Sequence, residues 1–157
     1  MGADAFGDHA DPFGDLWTCP RCGRRFANRN QSHACGRWTL AHHLDGREPA
    51  IVAIVERVIA TARAIGPVDV IPEKTRIALA TRMSFAALTV RARWVDGHVV
   101  LARRLESPRF RRIEVFSPRN QLHAFRLQAP DEVDDEVRAW LTEAYDVGMQ
   151  RHLERHG

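Results

Sequence analysis

Residues 17–36 read Trp17-Thr18-Cys19-Pro20-Arg21-Cys22-Gly23-Arg24-Arg25-Phe26-Ala27-Asn28-Arg29-Asn30-Gln31-Ser32-His33-Ala34-Cys35-Gly36, and every cysteine of the chain lies inside this stretch. With His33 the three thiols form a Cys3His set, one of the donor combinations of closed structural zinc sites. The spacing Cys-Pro-x-Cys-Gly is that of a knuckle. Pro20 stiffens the turn, and Gly23 supplies the positive φ that lets backbone amides approach the sulfurs. Three cysteines cannot all pair as disulfides, so a metal accounts for them better than one bridge and a spare thiol. His42 or His43 is an alternative fourth donor. Four protein donors leave no open position for water, which makes the expected zinc structural, and a segment this short depends on it for folding energy.

The first half, Cys19-x2-Cys22-x3-Phe26, also opens like a two-Cys two-His finger. The second half does not. In such fingers the last donors sit one turn apart on a helix that enters the major groove. His33 and Cys35 are two positions apart, about 200° around a helix, so one helical face cannot present both. The segment therefore reads as a zinc-stapled cap and not as a base-reading finger.

On either side of this cap the 157 residues leave room for one domain of ordinary size. Residues 1–15, with Asp4, Asp8, Asp11 and Asp15 among Gly, Ala and Pro, read as a disordered acidic leader. The cap spans 16–38, an α+β domain 39–148, and a tail 149–157. No apolar run approaches the ~20 residues of a membrane span. The first residues lack the basic region and apolar core of a signal peptide. The cytoplasm is the expected compartment, one that keeps thiolates reduced.

Thr39 caps a short helix that Gly46 ends. From Glu48 to Ile65, Ile51, Val55, Val58, Ile59, Ala62 and Ile65 recur at three and four, with Pro49 where proline is tolerated and Gly66-Pro67 as the stop. Extended segments follow over 68–71, 75–80, 85–94, 98–105, 113–116 and 122–127, with Trp94-Val95-Asp96-Gly97 read as an Asp-Gly hairpin turn. The last helix starts near Asp131, where carboxylates offset its dipole, and buries Val133, Val137, Trp140, Leu141, Ala144 and Tyr145. The expected architecture is zinc knuckle, helix, a four- or five-stranded antiparallel sheet, and a C-terminal helix, an α+β two-layer sandwich.

Charge is unevenly spread. Between Glu73 and Arg126 one lysine and eleven arginines face four carboxylates, a local +8, while 131–146 holds seven carboxylates against Arg138 alone. Within the basic stretch Lys74, Arg76, Arg109, Arg111, Arg112, Arg119 and His123 form a candidate anion site, because Arg gives bidentate contacts to phosphate or carboxylate. The competing reading is a solvated face neutralised by the acidic last helix. Nucleic acid is another use for the charge, with Trp38, Trp94, Phe110 and Phe116 interleaved for stacking.

Catalytic signatures are scarce. No His-Glu-x-x-His, Gly-x-Ser-x-Gly or phosphate-cradling glycine loop occurs. Asp69 with Glu73 and Lys74 resembles a metal-dependent nuclease pattern superficially. There the Glu and Lys lie two apart on one strand face, whereas here they are neighbours and point to opposite faces. The missing signatures favour a non-enzymatic reading over the enzyme alternative.

The run from Trp17 through Gly36 resembles the zinc-knuckle leader of short bacterial proteins that carry domain-of-unknown-function family 5655. The resemblance extends to about residue 148 through Lys74-Thr75-Arg76-Ile77-Ala78, Met83-Ser84-Phe85-Ala86-Ala87, Leu105-x-x-Pro108-Arg109-Phe110, Ser117-Pro118-Arg119, His123 to Leu127, Asp131 to Glu136, and Trp140-Leu141-x-x-Ala144-Tyr145. It implies an α+β domain with zinc at its edge and brings no established activity. The functional expectation is a cytoplasmic zinc-binding module whose basic sheet face binds nucleic acid or an acidic protein. The alternatives are a small-molecule anion pocket or enzyme around Lys74, Arg76, Arg109, Arg112 and His123, and an adaptor pairing through a sheet edge.

Overall fold

A computed structural model describes residues 11–33 and 35–154. The knuckle contributes β1 (Trp17–Thr18) and β2 (Arg25–Phe26), a two-stranded antiparallel ribbon. Then come α1 (Leu40–Leu44) and α2 (Pro49–Ile65), followed by β3 (Asp69–Pro72), β4 (Ile77–Ala80), β5 (Ser84–Val90), β6 (Val95–Leu101), β7 (Arg112–Ser117) and β8 (Asn120–Leu127). A 3-10 turn (Pro130–Glu132), α3 (Asp135–Gly148) and α4 (Arg151–Glu154) complete the described chain.

The six strands form one antiparallel sheet in the order β3-β4-β5-β6-β8-β7, more strands than the four or five expected. The segment at 69–72 closes one edge, and β7 forms the other because β8 folds back between it and β6. Helices α2 and α3 cover one face. Ile54, Val55, Val58 and Ala62 of α2 and Val137, Leu141 and Ala144 of α3 are almost fully buried, in one cluster with Leu88, Val99, Phe125 and Leu127 of the sheet. Burying such side chains at ~25 cal/mol per Å2 is the main drive for this two-layer arrangement. At the far end of α3 the Tyr145 hydroxyl donates to the Pro67 carbonyl at 2.9 Å, tying the α2–β3 corner to the helix.

The expected Asp-Gly turn is not a turn. The β5–β6 hairpin closes over Arg91–Trp94, where the Arg91 N–H donates to the Trp94 carbonyl at 2.9 Å. Gly97 lies inside β6 because the Phe125 ring packs on it. A Cβ there would stand 2.8 Å from two ring carbons. Tertiary packing outranks the dipeptide's local turn preference.

The acidic start of the last helix is capping machinery. Asp134 is the N-cap and its carboxylate accepts the Val137 N–H at 3.1 Å. Glu132 Oε1 accepts the N–H groups of Gln128 and Ala129 at 2.6 and 2.9 Å.

Residues 1–10 of the expected leader lie outside the described residues. Within 11–15, Pro12, Gly14 and Asp15 are exposed, but the segment is anchored to the fold at Asp11 and Phe13. Phe13 is 2% exposed, Asp11 pairs with Arg25, and Arg82 donates to the Phe13 carbonyl at 2.6 Å. Of the expected tail, 151–154 form a helical turn.

Candidate metal centre

The Cys19–Gly23 turn is built by backbone hydrogen bonds. The Gly23 N–H donates to the Cys19 carbonyl at 2.9 Å, and the Cys19 N–H to the Arg24 carbonyl at 2.8 Å. Gly23 has φ 76°, the left-handed conformation that its missing Cβ permits. The turn aims Cys19 and Cys22 inward at 4% and 8% exposure. His33 and Cys35 have no regular secondary structure, and no helix among the described residues presents the last two donors.

The donor atoms of Cys19, Cys22, His33 and Cys35 all lie within 4.8 Å of one another, and this group could hold a metal ion. Cys19 Sγ and Cys35 Sγ are 3.8 Å apart. His33 Nε2 lies 3.3 Å from Cys22 Sγ and 3.4 Å from Cys35 Sγ. Tetrahedral geometry with metal–sulfur bonds of ~2.3 Å and a metal–nitrogen bond of ~2.0 Å places sulfurs ~3.8 Å apart and sulfur and nitrogen ~3.5 Å apart. A disulfide would need ~2.05 Å. The spacing is that of ligands around a common centre.

Protonation is set the same way. His33 Nδ1 sits 2.6 Å from the Gln31 carbonyl, which can only accept, so Nδ1 carries the proton and Nε2 turns its lone pair to the sulfurs. The Cys22 backbone N–H, aimed at Cys19, lowers that thiol to about 6, making it a thiolate at neutral pH. Burial pushes the Cys35 thiol up. Phe26 packs on the His33 ring at 4.4 Å and Trp17 meets it edge-on at 6.3 Å, walling the imidazole in. Gln31, Phe26 and Trp17 support the site without being donors, and only the position of the two aromatics on the short ribbon signals it.

His42 and His43 are engaged elsewhere. His43, buried, puts Nε2 2.6 Å from the Glu73 carbonyl, and His42 puts Nε2 3.0 Å from the Lys74 carbonyl. Together they hold α1 against the β3–β4 connection. The knuckle docks on the same end of the sheet through Arg24–Glu73 at 3.0 Å and Arg25–Asp69 at 2.9 Å.

The expected anion site is dispersed. Lys74 and Arg76 lie at the β3–β4 connection, and Arg76 pairs with Glu73 at 2.6 Å. Arg112 is on β7 at the opposite edge, paired with Glu114 at 2.7 Å. Arg109 is locked to the start of α3, contacting both Asp134 oxygens at 3.0 Å, Glu136 at 3.2 Å and the Glu132 carbonyl at 2.8 Å. His123 is fully buried. Its Nε2 accepts the Leu105 N–H at 2.9 Å and its Nδ1 faces the Gln121 carbonyl at 2.9 Å. Burial lowers its pKa, and a walled-in neutral imidazole with both nitrogens occupied has no capacity for a ligand. Arg109 and His123 are thus committed elsewhere, whereas Arg76 and Arg112 both lie near His98 on the sheet face opposite the helices, and the acidic helix neutralises part of the charge, as with Arg103–Glu143 at 2.9 Å.

No curated protein and no solved structure matches the chain. The family model described as "Domain of unknown function (DUF5655)" matches residues 41–148. The match begins within α1, so the Cys3His group precedes the family domain and its segment docks on it, whereas the resemblance in sequence extended from Trp17. The sheet, both covering helices and the loops between them fall inside the match, and the chain belongs to the DUF5655 family.

Proposed function

We propose that Cys19, Cys22, His33 and Cys35 hold a structural zinc ion, and that the zinc-stapled chain binds an anionic partner, nucleic acid before acidic protein. The observation that carries the first part is the donor geometry. Three thiols and one imidazole whose donor atoms gather within 4.8 Å of one another suit zinc over harder cations that take oxygen. A shell closed by four side chains serves stability and carries no catalytic step.

The second part rests on charge. The chain has net +3, and cations outside ion pairs are what a phosphate backbone can use. Seven of the eleven arginines between 73 and 126 are ion-paired, so the sheet's basic stretch offers less free charge than its composition implies. Titrating zinc-loaded protein with labelled RNA and duplex DNA at two salt concentrations tests the reading. Affinity that falls steeply with salt supports it, and no binding at low salt refutes the nucleic-acid version.

The sheet-edge adaptor has one observation in its favour. β7 is an edge strand on which Val115 and Phe116 are 58% and 67% exposed. A dimer that dissociates on dilution and is lost in Phe116→Lys would support that reading. No helix among the described residues is long and apolar enough to cross a membrane.

A further inference from the structure

The knuckle itself is a second cationic surface. Residues 17–47 hold six arginines against Asp45 alone. Arg24 and Arg25 are committed to the sheet carboxylates. Arg21, Arg29 and Arg37 are exposed, and among the described residues no carboxylate lies within 4 Å of them.

Beside these charges stands Trp38, one of the few large apolar side chains left in contact with solvent, at 37% exposure. Its ring is braced by the His42 imidazole at 4.8 Å, which is itself held by the Lys74 carbonyl at 3.0 Å. Exposed Lys74 is thereby brought to the same end of the molecule. Between Arg37 and Trp38 on one side and the edge strand β3 on the other opens a cleft of about 520 Å3, lined also by Cys22, Gly23 and by Asp69, whose carboxylate is paired with Arg25 at 2.9 Å. The Arg37 guanidinium lies 3.8 Å from where a Gly23 side chain would begin.

We propose that this cleft binds single-stranded nucleic acid, one base stacking on Trp38 while Arg37 takes the phosphates, with Lys74 at the same end of the molecule. An exposed indole beside free guanidinium groups suits an unstacked base, which a duplex does not offer. Nothing here is shaped to read a duplex, since α1 is a single five-residue turn backed against the sheet. The inference rests on the reading that the anionic partner is nucleic acid, and it moves the contact from the sheet to the knuckle.

The test measures anisotropy of a labelled 12-nucleotide RNA, the same sequence as DNA, and its duplex, with zinc-loaded full-length chain. Trp38→Ala should weaken single-strand binding about 5- to 100-fold, while Trp38→Phe, which keeps a stacking ring, should restore most of it. Arg37→Glu should weaken binding and flatten its salt dependence. Arg57→Glu, the same charge change on the exposed side of α2, should leave it unaltered. Equal affinities for wild type and Trp38→Ala, with binding abolished in Arg111→Glu/Arg119→Glu, would overturn the knuckle cleft and leave the nucleic-acid reading standing. Binding to no nucleic acid, or only to an acidic peptide such as oligoglutamate, would overturn both.

Discussion

Cys22 Sγ lies 3.3 Å from His33 Nε2, although they are eleven positions apart in the chain and β2 lies between them. The contact holds only because Gln31 fixes the imidazole tautomer at 2.6 Å and Gly23 lets the turn close. A closed shell of this kind supplies folding free energy to a segment too small to fold by burial alone, on the order of 10 kcal/mol in isolated zinc modules. Cys22→Ser should therefore abolish metal binding and remove hydrogen-exchange protection across 17–38. Protection in α2, β5, β6 and α3, whose core is independent of the knuckle, should persist. Uniform loss of protection would mean that the two parts unfold as one.

Gly97 is required by packing. Gly97→Ala should destabilise the chain by roughly 1–3 kcal/mol, since the new methyl meets the Phe125 ring at 2.8 Å and Leu88 at 3.3 Å in a filled core. Urea denaturation should show a lower midpoint with an unchanged slope. A neutral substitution would contradict the position of this residue inside β6.

His123 is a structural histidine. His123→Ala removes a buried ring and leaves the Leu105 N–H without its acceptor, which should cost about 2–4 kcal/mol. Affinity for nucleic acid, measured under conditions where the variant is folded, should not change. A selective loss of binding with stability intact would restore His123 to a ligand site.

His98 supplies a pH dependence. It faces the side of the sheet opposite the helices, where partial burial, with Arg76 and Arg112 nearby, lowers its pKa to about 4. The folded chain then takes up this proton less readily than the unfolded chain, whose value is the ordinary 6.5. The stability contribution is full above about pH 6.5 and is lost as pH falls toward 4. His98→Gln should flatten that decline by on the order of 1–2 kcal/mol. Side-by-side denaturation from pH 7 to 4.5 cancels acid loss of metal, common to both chains, and superimposable curves would contradict the burial of this imidazole.

Much of this architecture is written in local pattern. The three-and-four spacing of Ile51, Val55, Val58, Ile59 and Ala62 gives α2 and its buried stripe, and Thr39 caps α1 through the His42 N–H as its residue type predicts. Cysteine spacing identifies the donor set because ligand geometry tolerates few separations along the chain. What escapes local reading depends on partners distant in sequence. Arg109 resembles a free anion ligand until α3 brings Asp134 and Glu136 onto it. Phe13 sits in a polar leader, yet it is buried and the Arg25 guanidinium lies over its ring at 5.4 Å. The Asp96-Gly97 dipeptide signals a turn, and only the Phe125 ring explains why it is a strand.

Whether Cys19, Cys22, His33 and Cys35 hold zinc is decided by the zinc content and X-ray absorption of full-length protein purified without chelators. About one zinc per chain is expected, with three sulfurs at ~2.3 Å and one nitrogen at ~2.0 Å, and loss of that zinc in Cys22→Ser. Protein free of zinc, or zinc retained unchanged in Cys22→Ser, would contradict zinc at these four residues.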